Sequence, residues 1–540
     1  MTHNIAWLDW LVIALYCLGL LGMAAALARG QHNREDYYVG GRNLGPWPVG
    51  LSIMATQCST NSILGAPAFV AFAAGGGMVW LQYELAVPLA MIALMLFAMP
   101  LFRHRQLVSV YGYLEQRYDL PTRLTLSGLF LFVRAFATAV TVYSIALVIE
   151  LITGLGFVAS VLLLGAFTVV YDVLGGIRGV IYSDVVQLLI LVVMLALVLA
   201  FLLDAGGGIT TLWQSFAPER KNALDFAHHG LGDGQTFAFW PMLFGGLFLY
   251  VSYYGCDQSQ VQRQLSTRNI DATNNALLIN GLLRFPLVLL YCMVGAGIAV
   301  YSVQHPDFVA ALPVNNGRPE YNLAVPLYMI NALPTGLVGL SLVALFAAAM
   351  SSLDSVINSL SATTMEDFVL RFTSRTLSPQ QELLYSRCIT IIWGSITIGM
   401  AFFVGDIAPT VLEAINKIGS LANGPILAVF VLGMTTHRVR GAHVVAGLFS
   451  GIIANAGCWL FLPAVSWLWW NVSGFAVAVL TALLIATLST RKPSTSTPIT
   501  TAFAEAKQLL QKQSDINWYW RSALLVMWFT VLLGGLAMLG

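Results

Sequence analysis

The sequence predicts an all-α polytopic membrane protein, and three observations carry that reading. Hydrophobic residues make up 58% of the 540 and charged residues only 9%, against about 25% charged in soluble domains. The apolar residues come in long runs, each near the roughly 20 residues that cross a bilayer as a helix. The basic residues are segregated: twenty of the 26 fall in or beside alternate loops, three (Arg220, Lys221, Arg318) in the opposite loops, and three inside apolar runs. Positive loops stay cytoplasmic, so both termini are expected outside a plasma (inner) membrane, extracellular or periplasmic.

Fourteen spans can be drawn, near 7–27, 47–71, 78–101, 124–152, 156–174, 180–203, 237–257, 274–303, 335–366, 382–404, 408–435, 440–462, 464–489 and 518–539. The segment 324–331 reads as a short separate helix. The first run is long and has no basic residue before it, so it reads as a span rather than a signal peptide. A net charge of +1 gives no footing for nucleic acid. The six cysteines all lie in apolar runs without CxxC spacing, so no disulfide or zinc framework is expected.

The second span is interrupted. It reads GLSIMATQCSTNSILGAPAF over 50–69, with a polar run from Thr56 to Ser62 followed by Gly65 and Pro67. A break at mid-membrane depth frees backbone carbonyls and aims half-helix ends at an ion or solute. Small polar residues also build helix–helix interfaces, but no other span carries so dense a run. The fifth and sixth spans meet at Gly175-Gly176, which permits a tight turn. Asp184 follows about one turn into the membrane, where an acid also suits a helix N-terminus.

The seventh span ends in YVSYYGCDQSQVQRQL (250–265), whose aromatic pair Tyr253 and Tyr254 suits stacking on a solute or an interfacial place at headgroup level, and which opens an amphipathic cytoplasmic stretch. The ninth reads LFAAAMSSLDSVINSLSATT (345–364). Ser352, Ser355 and Ser359 share one face. Hydroxyls, carbonyls and a carboxylate such as Asp354 are the oxygen ligands a hard cation takes, although a serine face serves helix packing equally well. Arg134, Arg284 and Lys417 lie inside spans, where ionisable groups are costly and mark function. They meet an anionic solute, pair with protein acids such as Glu84 or Glu413, or snorkel to the surface.

Five segments, in order, resemble the sodium:solute symporter family: YYVGGRNLGPWPVGLS (37–52), LGGIRGVIYSDVVQ (174–187), YYGCDQSQVQRQL (253–265), SSLDSVINS (351–359) and NGPILAVFVLG (423–433). The resemblance implies a LeuT-like core of two inverted five-helix repeats, 47–203 and 237–435. One helix (within 1–46) precedes it, an outer loop (204–236) joins the halves, and three helices (within 436–540) follow. It implies a main sodium site from the carbonyls of Ala55, Cys58 and Ala348 and the hydroxyls of Ser351 and Ser352. A second sodium is implied beside Asp184, Ser351, Asp354 and Ser355, with Asp354 standing where some two-sodium members have a hydroxyl.

Candidate solute contacts are Gln57, Ser59, Ser62, Glu84, Arg134, Tyr250, Tyr253, Arg284 and Lys417. Several depart from the sugar carriers of the family, so a sugar is not the first choice, and a carboxylate-bearing solute is. Tyr253 matches an inner gate. The function implied is sodium-coupled import of a small organic solute by alternating access. A proton-coupled carrier is the alternative, and a solute-gated channel or membrane sensor is the reading from another class. No catalytic cluster is evident. The expected partners are sodium ions, the solute and the lipid bilayer.

Overall fold

The computed structural model describes residues 6–58, 60–315, 317–404, 411–489 and 502–539. These are almost wholly helical, apart from a two-residue antiparallel hairpin pairing Val314–Asn315 with Arg318–Pro319. Ten helices among the described residues are long and apolar enough to cross a membrane. The fifth and sixth predicted spans count as one of these, and each half of the broken second span is too short by that measure.

The second predicted span is two helices, Pro46–Gln57 and Thr60–Phe72, separated at Cys58, whose φ of −78° and ψ of 61° leave the helical region. Serine and threonine hydroxyls compete with the backbone for hydrogen bonds, which weakens the helix where the polar run sits. Thr56 illustrates this by donating its hydroxyl back to the Ser52 carbonyl at 2.9 Å. Beyond the break, Pro67 sits inside the second half.

The fifth and sixth predicted spans form one helix, Phe157–Ala205, bent at Gly176 (φ 53°, ψ −159°). A Cβ there would lie 2.9 Å from Tyr37, so the turn needs both the left-handed conformation and the missing side chain. Gly176→Ala is therefore expected to cost about 1–3 kcal/mol and to lower the unfolding temperature of the purified protein. Gly19→Ala, where a Cβ meets nothing within 4 Å, is the control.

The serine helix, Leu337–Thr363, is the most enclosed long helix and packs against both halves of the broken helix and against Phe157–Ala205. Its start is held by the first helix, Trp7–Ala28: buried Asp9 accepts the N–H groups of Gly336 and Gly339, each at 2.7 Å. An acid at a helix N-terminus meets both the unpaired donors and the positive end of the dipole. The predicted separate helix is present as Ala324–Ala332.

Two stretches assigned to cytoplasmic loops are ordered helices. Ala502–Gln513 lies within the predicted loop 490–517 and ties back through Glu505 to Arg105 at 3.3 Å. Gln258–Leu265 is buried along its whole length, so Arg263, counted above as a loop cation, sits in the interior. On the same side, Arg123 joins Glu115 at 2.6 Å and also pairs with Asp367. Desolvation pushes the Glu115 carboxyl up, but hydrogen bonds from Arg371 and Arg123 outweigh it and hold the group below its usual range.

Candidate functional site: ion ligands and a solute cavity

The break and the serine helix face one another. Ser351 and Ser352 both donate to the Ala348 carbonyl, at 3.2 and 3.5 Å. Three of the five groups expected to hold the main sodium are thus adjacent on one helix face. The other two, the carbonyls of Ala55 and Cys58, lie at the end of the half-helix Pro46–Gln57, which packs against the serine helix. The set is all oxygen, as a hard monovalent cation requires.

Beneath it lies a buried polar cluster. Ser52 donates to Asp184 Oδ2 at 2.6 Å, and Ser355 donates to Asp354 Oδ1 at 3.1 Å. Thr56 and Ser355 hydroxyls are 3.3 Å apart. Tyr171 donates to Asp354, with Ser183 at 3.5 Å from the same carboxylate. The structure therefore brings Asp184, Asp354 and Ser355 into one network, and adds Ser52, Thr56, Tyr171 and Arg263. Of these additions only Thr56, at the head of the polar run, carries a signal in sequence: lone hydroxyls in apolar helices are common, and Arg263 lies in a stretch that reads as solvated.

A cavity of about 1580 Å³ runs beside the break. Its lining takes in Thr236, Glu320, Pro463 and Trp467, all in or beside loops, together with Arg134, Tyr253 and Asp257. Seven of the nine candidate solute contacts line it: Gln57, Ser62, Glu84, Arg134, Tyr250, Tyr253 and Arg284. Ser59 lies outside the described residues, as does the side chain of Lys417. Thr56 and Ser352 also reach the wall, so the cavity and the ion ligands adjoin.

The two described intramembrane arginines are both paired. Arg284 donates Nε to Glu84 at 3.1 Å and Nη1 to Cys58 Sγ at 2.8 Å, while Tyr250 donates to the other Glu84 oxygen at 3.3 Å. This pair is buried, with side chains 6% and 2% exposed. Of the two acids named from sequence, Glu84 is the one Arg284 meets.

Arg134 differs. Its Nε and Nη2 both go to the single oxygen Oδ2 of Asp257, the first at 2.6 Å, and its side chain stays 24% exposed. The Tyr253 ring covers it, 5.2 Å from Cζ. Tyr253 also accepts a bond from Gln260 at 2.9 Å. An aromatic wall climbs from there: Tyr253 to Tyr254 at 5.2 Å, Tyr83 to Tyr250 at 5.0 Å, and Phe69 against Phe237 at 4.8 Å.

Comparison with known proteins gives consistent matches. The model of the family described as the sodium:solute symporter family matches residues 37–453. The sodium/sialic acid symporter SiaT of Proteus mirabilis is 27% identical over 84% of this chain and 89% of its own length. The human sodium/iodide cotransporter is 30% identical over 85% of this chain and 70% of its own. The solved structure of a Na+-coupled sialic acid symporter in a substrate-bound outward-open state superposes with a TM-score of 0.80 at 24% identity, covering 91% of this chain and all of that one.

Proposed function

We infer the function from one premise: this chain belongs to the sodium:solute symporter family. It is a sodium-coupled symporter and not an enzyme. The finer reading is that the solute is a small organic anion carrying a carboxylate, moved by alternating access across a plasma or inner membrane. Fourteen crossings, both termini outside, and two five-helix repeats over 47–203 and 237–435 complete it.

The observation that carries the solute class is Arg134 in the cavity wall. Two of its N–H groups converge on one oxygen of Asp257, and the side chain remains about a quarter exposed. Arginine meets a carboxylate through two parallel bonds, so the remaining donors are those an incoming acid would take. Arg284, closed off with Glu84, is the weaker candidate. Two named relatives point the same way, since sialic acid and iodide are both anions.

On this reading the first sodium binds between Ala55, Cys58, Ala348, Ser351 and Ser352 and holds the break and the serine helix together. A second ion uses Asp184, Asp354 and Ser355. The solute settles beside Gln57, Ser62 and Tyr250, with its carboxylate toward Arg134. The outer side then closes and the Tyr253–Arg134–Asp257 gate opens. Coupling requires that sodium favour one state over the other. Each net positive charge carried inward gains about 2.3 kcal/mol per 100 mV.

Competition of uptake tests the solute class. Carboxylates are expected to inhibit, their amides and neutral sugars to be at least about tenfold weaker, and Arg134→Gln to abolish the difference. Inhibition by neutral sugars and by no carboxylate contradicts it.

A further inference from the structure

The second-ion position already holds a positive charge. Arg263 reaches from the buried helix Gln258–Leu265, with its side chain 1% exposed. Its Nε donates to Ser52 at 2.8 Å, and its Nη2 donates to Asp184 Oδ2 at 3.3 Å and to Ser355. Nη1 is anchored on the Ser259 carbonyl of its own helix. The guanidinium thus bonds two of the residues, Asp184 and Ser355, that the second sodium would use. It does so while bridging the broken helix, the Asp184 helix and the serine helix.

Two further facts complete the charge balance. Asp354 is fully buried, and its partners among the described residues are the hydroxyls of Tyr171, Ser183 and Ser355, with no ion pair. Asp184 Oδ1, also buried, has no hydrogen-bond partner among the described residues. An uncompensated carboxylate in a low-dielectric interior costs several kcal/mol, so this chamber holds one cation of its own and has charge and an oxygen to accept another.

We propose that Arg263 and the second sodium ion compete for Asp184 and Ser355, and that displacement of Arg263 by the ion releases the Tyr253–Arg134–Asp257 gate. The inference rests on the sodium-symport reading above. The release follows from where Arg263 is attached. Asp257 caps the start of the same helix through Ser259 N at 2.9 Å and pairs with Arg134 in the cavity wall. The helix is therefore held at one end by Arg134 and farther along by Asp184 and Ser355. When sodium takes Asp184, with Asp354 supplying the balancing charge, the second hold is lost and the helix is free to move with the gate. Sodium binding and gate opening are then one exchange of cations on the same oxygens.

Sodium binding to the purified full-length protein tests this, measured with radioactive sodium alongside the Hill coefficient for sodium-driven uptake. In R263Q the weaker sodium is expected to bind about tenfold more tightly, with the tighter one unchanged. R263K keeps the charge and is expected to shift less. R263Q/D184N is expected to lose the gain. Unchanged weaker-site affinity in R263Q overturns the proposal; should R263Q fail to fold, an R263K value equal to the parent's does so. Normal sodium-driven uptake by the parent beside an unresponsive R263Q sinks this inference alone. Uptake indifferent to sodium in the parent sinks the reading beneath it.

Discussion

Ser351→Ala and Ser352→Ala are each expected to raise the sodium concentration for half-maximal uptake by about tenfold or more. The site proposed has about five oxygen ligands, and each substitution deletes one, leaving a methyl group facing the ion. Both hydroxyls sit on the Ala348 carbonyl, at 3.2 and 3.5 Å, so neither can be replaced by a shift of its neighbour without losing the other. Ser352 also borders the solute cavity, so its variant should weaken solute binding at low sodium and recover it at high sodium. A Ser351 variant should show the sodium effect alone. Half-maximal sodium concentrations unchanged in both variants remove the main site from these residues.

Arg284→Ala is expected to cost about 3–5 kcal/mol, the effect of stranding one partner of a buried ion pair. Among the described residues Glu84 would be left with the Tyr250 hydroxyl at 3.3 Å, and Cys58, at the helix break, would lose its 2.8 Å donor. Thermal unfolding in detergent and yield of folded protein report the loss. The double variant Glu84→Gln/Arg284→Met removes both charges together and is expected to regain most of the stability, though not transport. A single variant as stable as the parent would show that the pair contributes nothing to the fold.

Much of this architecture was legible in the sequence for a physical reason. Lipid forces spans to be apolar and nearly uniform in length, so exceptions stand out. The polar run from Thr56 to Ser62 is such an exception, and the helix does break beside Cys58. Gly175-Gly176 read as a turn, and the bend falls at Gly176. Partners were harder. Arg284 and Arg134 were visible as buried cations, but which acid each would meet depends on packing between distant segments: Glu84 lies 200 positions from Arg284, and Asp257 lies 123 from Arg134.

Arg263 was missed for a different reason. Its helix carries Gln258, Gln260, Gln262 and Gln264, a composition that reads as solvent-facing. Each of those glutamines is buried, and several are bonded to protein: Gln258 to the Val108 carbonyl at 2.7 Å, Gln262 to Asn358 at 2.8 Å and Gln264 to the Tyr254 carbonyl at 2.7 Å. A polar helix that satisfies itself against other backbone leaves no trace in hydropathy. The paired arginines likewise mean that charge counted along the chain overstates the free positive charge in the cavity.

Sodium is expected to drive this carrier, and uptake of radiolabelled carboxylate solutes into proteoliposomes tests that directly. An inward sodium gradient is expected to accumulate solute above the outside concentration. Collapsing that gradient with a sodium ionophore, or replacing sodium by potassium, is expected to abolish accumulation. An inside-negative potential is expected to increase it. Accumulation that persists without sodium and follows an imposed proton gradient would contradict the account and make the chain a proton-coupled carrier.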